Sequence, residues 1–127
     1  MPLLTRGVRE ALAKRLGVSE DRVEDELNTA VEDVANMVRR FVWAGQYSFA
    51  DRLANAASRE AVTATLYEML RISKSALDAG RTLDEDVKPY VAREESVKLL
   101  LDLMDLDLIA GLEAARRAAV LAMSFRR

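Results

Sequence analysis

Apolar residues recur along most of the chain at intervals of three and four, the spacing that places side chains on one face of an α-helix. Proline and glycine, which interrupt helices, are few and fall at the boundaries between these stretches. The pattern therefore predicts an all-α fold. The longest apolar stripe advances in alternating steps of four and three, like a coiled-coil seam, through Val23, Leu27, Ala30, Val34, Met37 and Phe41.

Ser, Thr and Gly residues divide this pattern into helices, because hydroxyl side chains cap helix N-termini and glycine accepts the left-handed conformation that ends them. The predicted boundaries of the first four helices are Thr5 to about Leu16 before Gly17, Ser19 to Gly45, a short helix from Ser48 with Asp51 in a capping box, and Ser58 to about Ala79 before Gly80. The buried side of the fourth helix is predicted to hold Val62, Leu66, Met69, Leu70, Ala76 and Leu77.

The remainder of the chain is predicted to be helical with two interruptions. Thr82 and Glu85 have the spacing of a capping box, and Pro89 is expected to break a helix or start a turn. From Tyr90 the pattern is helical to near the end, with a kink or break expected at Gly111. The last helix is rich in alanine, which allows close helix approach. Residues 1–127 are therefore predicted to form a single domain, a compact bundle of about five or six helices.

The composition excludes several kinds of site. The chain contains no His and no Cys, so it has no imidazole base, no thiol nucleophile, no disulfide and no His or Cys ligand for zinc. No cofactor, catalytic residue or metal ligand is predicted. The sequence shows no export leader and no apolar run of about 20 residues, so the expected location is the cytoplasm and no membrane contact is expected.

Opposite charges are segregated along the chain, although the net charge is only −2. Successive segments 1–19, 20–33, 34–81, 82–113 and 114–127 carry +3, −6, +3, −6 and +4. This pattern is compatible with two electrostatic faces, with head-to-tail contacts between copies, or with neutralisation between neighbouring helices.

The run LAKRLGVSEDRV has the spacing of a helix-turn-helix unit, with Ala13 for close packing, Gly17 in the turn and Val23 in the second helix. In a DNA-binding unit of this kind the second helix reads base edges. Here its exposed positions are mostly acidic, which opposes docking on phosphate. A scaffold is therefore favoured over a DNA-binding regulator, which remains an alternative. The acidic positions are Glu20, Asp21, Glu24, Asp25 and Glu26.

Arginines and aromatic residues cluster between positions 39 and 52, within the positive middle segment. Such a cluster can grip a nucleic-acid backbone and stack on bases, although aromatic residues at these positions are also typical of a helical core. The candidate nucleic-acid-binding residues are Arg39, Arg40, Trp43, Arg52, Arg59 and Lys74.

Two carboxylate pairs, Asp102 with Asp105 and Asp21 with Glu24, each share a helical face and could contribute to a Mg²⁺ site. Such a site needs further convergent carboxylates, so a solvated face, or ion pairs with Arg116 and Arg117, is favoured. A basic group at the chain end, Arg116, Arg117, Arg126 and Arg127, could contact phosphate or an acidic face of another copy.

Residues 45–70, GQYSFADRLANAASREAVTATLYEML, resemble the small helical subunit of archaeal type I-A CRISPR Cascade complexes. The similarity lies in an aromatic residue, the run DRLANA, and the serine that opens a long helix. The resemblance implies a non-catalytic subunit of a nucleoprotein complex. Several copies would associate with other subunits and support the guide–target duplex and the displaced strand through backbone contacts. A helical viral capsid or nucleocapsid protein is the alternative within the same physical class.

Overall fold

A computed structural model of the chain describes residues 4–124, which form six helices and no β-strand. The helices are α1 (Arg6–Leu16), α2 (Glu20–Trp43), α3 (Ser48–Ala54), α4 (Arg59–Asp78), α5 (Glu94–Leu106) and α6 (Leu108–Ser124). The predicted all-α bundle is therefore confirmed. None of these helices is long and apolar enough to cross a membrane.

Helix α2 is the centre of the bundle and packs against each of the other five helices. Every residue of its predicted stripe is at most 2% exposed. A second buried row, which includes Val31, Ala35 and Val38, runs beside the stripe. The buried face of α2 is therefore wider than a coiled-coil seam, because helices cover it on more than one side.

Helix α6 lies against α2 through a face made of small residues. Small side chains let two helix backbones approach closely, so α6 is held in one orientation by contacts along most of its length. The alanines of this face are all fully buried: Ala114, Ala115, Ala118, Ala119 and Ala122.

Several predicted helix ends are confirmed by their hydrogen bonds. The Thr5 hydroxyl accepts from the Val8 amide at 3.3 Å, and the Ser58 hydroxyl accepts from the Ala61 amide at 3.1 Å. Gly17 ends α1 in the left-handed conformation, with φ of 69°. Ser19 occupies the predicted N-cap position of α2, although its side chain makes no capping bond.

Three predictions about α3 and α4 are wrong or incomplete. The capping box at Ser48 and Asp51 does not form, because Ser48 is already the first helical residue and Tyr47 occupies the N-cap position. On α4, Leu77 is 55% exposed rather than buried, because no element covers that side of the last turn. Leu70 is only half-buried.

The capping box predicted at Thr82 and Glu85 is also wrong, because residues 81–93 are not helical. The Thr82 hydroxyl donates to the Glu85 carbonyl at 2.7 Å, and a tight turn is closed by the pairing of Asp84 with Val87. Lys88 precedes Pro89 and is therefore disfavoured in helical geometry, which prevents a helix from running through this segment. Helix α5 consequently begins at Glu94 and not near Tyr90.

The predicted kink at Gly111 is wrong as well. The chain turns at Asp107, whose backbone is extended and whose carboxylate accepts from the Ala110 amide at 3.1 Å. Gly111 lies inside α6, where a Cβ atom would be 2.0 Å from Met104 Cγ and 2.7 Å from Met104 Cα. The glycine is therefore required for close contact between α5 and α6.

We expect Gly111→Ala to lower the free energy of unfolding by about 2 kcal/mol or more, since the new methyl group overlaps side-chain and backbone atoms of Met104. Urea denaturation followed by circular dichroism measures this change. The matched control is Gly7→Ala in α1, where a Cβ meets nothing within 4 Å. That variant is expected to be as stable as the natural chain or slightly more so. Equal stability of the two variants would contradict the close packing at Gly111.

Candidate nucleic-acid interface

The structure separates the predicted nucleic-acid-binding residues by how their charges are used. All four candidate arginines contact other groups of the chain, whereas Lys74 has no ion pair within residues 4–124. The six residues therefore differ in whether their charges are already paired within the chain.

Arg39 and Arg40, on the last part of α2, hold neighbouring elements. The Arg39 guanidinium donates to Asn36 Oδ1 at 2.6 Å and to the Leu121 carbonyl at 3.3 Å, which joins α2 to α6. Arg40 donates to the Lys88 carbonyl at 3.4 Å and lies over the ring of Trp43, 5.2 Å from its centroid. Trp43 is half-buried beneath this contact. These three residues thus help to fix the bundle.

Arg52 and Arg59 form ion pairs between helices and remain partly exposed. Arg52 joins α3 to α4 through Glu68 at 3.1 Å, and Arg59 joins α4 to α5 through Asp105 at 2.7 Å. The side chains of Arg52 and Arg59 are 44% and 40% exposed, so solvent screens both pairs. A phosphate could replace either carboxylate, but it would have to compete with it.

Lys74 lines a groove between the second half of α4 and the residues that lead into α5, here called the α4–α5 groove. The groove has a volume of about 510 Å³ and an apolar floor with charged groups at its edge. Its lining residues are Tyr67, Leu70, Arg71, Lys74, Leu77, Asp78, Val91, Ala92 and Glu94.

Arg71 is the functional candidate that the sequence-based selection missed. It is exposed, one turn from Lys74, and it also lines two adjoining depressions, one of which contains Arg81. Within the described residues none of these three cations has an ion pair. Tyr67, Arg71 and Lys74 are spaced by four and three, so an inspection of the exposed face of α4 could have identified Arg71.

The other wall of the α4–α5 groove is fixed by a buried carboxylate. Asp33 of α2 is 7% exposed and accepts hydrogen bonds from the Tyr90 hydroxyl and, at 2.8 Å, from the Arg93 amide. The hydrogen bond to Asp33, together with burial, raises the pKa of the Tyr90 hydroxyl above its ordinary value. Tyr90 and Arg93 flank Val91 and Ala92, so this contact positions the wall residues.

The helix-turn-helix-like unit has the predicted turn but presents a poor surface to DNA. Helix α2, which would be the reading helix, is the central helix of the bundle. Arg22, its one basic residue near the N-terminus, pairs with Glu26 at 3.2 Å. Glu24 pairs with Arg9 of α1 at 2.7 Å, which ties the two helices together. The unit therefore contributes to the packing of the bundle.

The predicted carboxylate pairs do not converge into a metal site. Within residues 4–124, no group of three or more acidic side chains is arranged to hold a metal ion. The predicted ion-pair partners of Asp102 and Asp105 were wrong: Asp102 pairs with Arg15 at 3.5 Å and Asp105 with Arg59. Arg117 instead contacts Asn28 at 3.4 Å. Arg126 and Arg127 of the predicted basic group lie outside the described residues.

A comparison with known families finds a match over most of the chain. A family model described as "CRISPR-associated protein (Cas_Csa5)" matches residues 36–125. No curated protein and no solved structure matches the chain. The matched range contains all six predicted binding residues and the α4–α5 groove, but not the helix-turn-helix-like unit. It confirms the resemblance to a CRISPR-associated small subunit.

We expect Tyr90→Phe to lower the free energy of unfolding by about 1–2 kcal/mol, because the buried Asp33 carboxylate loses a hydrogen-bond donor. Because the pKa of Tyr90 is raised in the folded state, the stabilisation by its hydroxyl is fully present below pH of about 10. It is lost as the pH rises through the pKa of Tyr90 in the folded protein. Urea denaturation at neutral pH and at pH above 10 checks both points.

Tyr47→Phe is the matched control, because Tyr47 is 59% exposed and makes no hydrogen bond through its hydroxyl within the described residues. Its stability should equal that of the natural chain. Equal losses in the two variants would show that the Asp33 contact does not hold the wall of the groove.

Proposed function

The chain belongs to the Cas_Csa5 family of CRISPR-associated proteins, and from this we propose that it is a non-catalytic small subunit of a Cascade-type nucleoprotein complex. In this role it contacts other subunits, associates with further copies of itself, and supports the guide–target duplex and the displaced strand. Its contacts with nucleic acid are to the backbone, since base pairing supplies the sequence recognition in such complexes. Its expected location is the cytoplasm.

The observation that carries the proposal is a pair of cations at the edge of the α4–α5 groove, Arg71 and Lys74, which have no ion pair within residues 4–124. Arginine binds phosphate through a rigid, bidentate fork, and lysine acts as a mobile point charge. Neither cation has to leave a carboxylate within the described residues before it binds phosphate. Their charge is therefore available to a strand without breaking an ion pair, although Asp78 and Glu94 also line the groove.

Tyr67 supports contact with a single strand. It is 37% exposed and lies one turn before Arg71 on the same side of α4. An exposed aromatic ring stacks on any base without selecting its sequence, and stacking is available only where bases are not paired. A displaced strand therefore fits this surface better than an intact duplex.

The remaining candidates have a secondary role in the proposal. Arg52 and Arg59 are partly exposed and can reach phosphate when it displaces Glu68 or Asp105. Arg39, Arg40 and Trp43 are engaged in packing, so their replacement is expected to change stability together with binding. Binding experiments on Arg39→Ala/Arg40→Ala would mix the two effects.

One concentration of acidic residues lies on a surface where strand contact is not proposed. Glu20, Asp21 and Asp25 are exposed on the first turns of α2, within the unit that lies outside the family match. A surface of this sign repels nucleic acid and suits a basic protein neighbour. The segregated charges thus fit a subunit that has different partners on different sides.

We expect Arg71→Ala/Lys74→Ala to weaken binding to a single-stranded oligonucleotide and to reduce the slope of log K against log salt by about 1.4, since two phosphate contacts are lost. Fluorescence anisotropy at several salt concentrations, with a labelled strand of mixed sequence, measures both quantities. Both side chains are exposed, so the fold should be unchanged.

Lys14→Ala/Arg22→Ala is the control, because it removes two exposed charges from the helix-turn-helix-like unit. Its affinity and salt slope should remain close to those of the natural chain. The proposal fails if the groove variant keeps the natural slope. Loss of binding in the Lys14/Arg22 variant alone would favour a helix-turn-helix DNA-binding protein.

A further inference from the structure

Helix α6 has an outer face that no element covers. Apolar residues at both ends of this face are exposed: Ile109 is 81% exposed, Val120 47% and Met123 39%. Two charged residues, Glu113 and Arg116, lie between them and are exposed without a partner within the described residues. We call this set, Ile109, Glu113, Arg116, Val120 and Met123, the outer face of α6. Its steps of four, three, four and three are those of a coiled-coil seam.

The order of Ile109, Glu113, Arg116 and Val120 along the outer face is complementary to itself when read backwards. If a second α6 lies antiparallel so that Glu113 of one copy meets Arg116 of the other, Ile109 meets Val120 in the same register. Both charges then face opposite charges, and Ile109 and Val120 face each other at both ends of the contact. Met123 lies beyond the paired positions, because its counterpart would be position 106, which precedes α6. Leu108, which is 45% exposed, would lie opposite the half-buried Leu121 beside this seam.

A two-fold contact is the natural result of such a pattern, because a self-complementary patch forms the same contacts from both sides. Burial of Ile109 and Val120 supplies the attraction, and the two charge pairs fix the register. A parallel arrangement in register would bring Glu113 against Glu113 and Arg116 against Arg116. That arrangement is opposed by repulsion between like charges.

We propose that two copies of this chain associate through the outer face of α6 as an antiparallel, two-fold helix pair. The inference deepens the self-association in the proposed function and rests on it, whereas strand binding at the α4–α5 groove does not depend on it. Helix α6 has 17 residues and is about 25 Å long, so this contact is at the small end of specific interfaces. The dimer is therefore weak and depends on protein concentration.

Charge reversal tests the register. In Glu113→Arg or Arg116→Glu alone, both cross-helix pairs become like-charged, so sedimentation equilibrium should show association weakened at least tenfold. The Glu113→Arg variant carries two positive charges on this face, and the Arg116→Glu variant carries two negative charges. When the two variants are mixed, opposite charges meet at both positions, and association should return as a heterodimer. The double variant Glu113→Arg/Arg116→Glu should also associate like the natural chain.

Asp25→Arg is the control, since it reverses an exposed charge that lies on α2 and is not part of the outer face of α6. Its association should be unchanged. A natural chain that remains monomeric at millimolar concentration would overturn both this interface and the self-association. Self-association that persists in the single variants, or that mixing fails to restore, would overturn the interface alone. Oligonucleotide binding, measured separately, tests the groove.

Cross-linking gives a second, independent measurement because the natural chain has no cysteine. Positions 109 and 120 of one helix are about 16 Å apart, too far for a disulfide within one copy. In the proposed register they face each other across the interface. Ile109→Cys/Val120→Cys should therefore form a covalent dimer under mild oxidation, much faster than either single variant. Equal cross-linking by Ile109→Cys alone would contradict the register.

Discussion

The buried face of α6 is built from alanine and glycine, so its backbone can lie close to both α2 and α5. Gly111 leaves no space between the helix and Met104, and the fully buried alanines that follow allow the same approach to α2. Close packing of this kind is stiff, since small side chains have few other arrangements. The orientation of α6, and therefore the residues on its outer face, follow from this contact.

Local signals predicted the elements of the fold, whereas contacts distant in sequence determined the details that were predicted incorrectly. The caps at Thr5 and Ser58 act within one helical turn, so the sequence alone identifies them. Gly111 looked like a kink because its need for close approach comes from Met104 on another helix. The segment at Thr82 has the spacing of a helix start, but the geometry before Pro89 and the anchor at Asp33 keep it irregular.

The candidate site shows the same limit in electrostatic terms. Arg52, Arg59 and Lys74 lie in one positive segment and are equivalent by charge and position. In the fold, Glu68 and Asp105 neutralise the two arginines, whereas Lys74 and Arg71 have no such partner within the described residues. A sequence identifies which cations exist, but only the packing of helices decides which of them remain available. Residue type therefore predicts a candidate region, and the packing of helices separates the residues within it by whether they form ion pairs.

Pairing between neighbouring helices also explains why a net charge of −2 is a poor guide to function. Ion pairs such as Arg9 with Glu24 and Arg15 with Asp102 join residues of oppositely charged segments, so these charges neutralise each other within one molecule. Other molecules meet the charges that remain exposed: cations at the α4–α5 groove that have no ion pair within the described residues, carboxylates on the first turns of α2, and a mixed face on α6. These three surfaces differ in chemistry and lie on different helices. The proposed subunit can therefore contact a nucleic-acid strand, a basic protein neighbour and a second copy of itself through three separate surfaces.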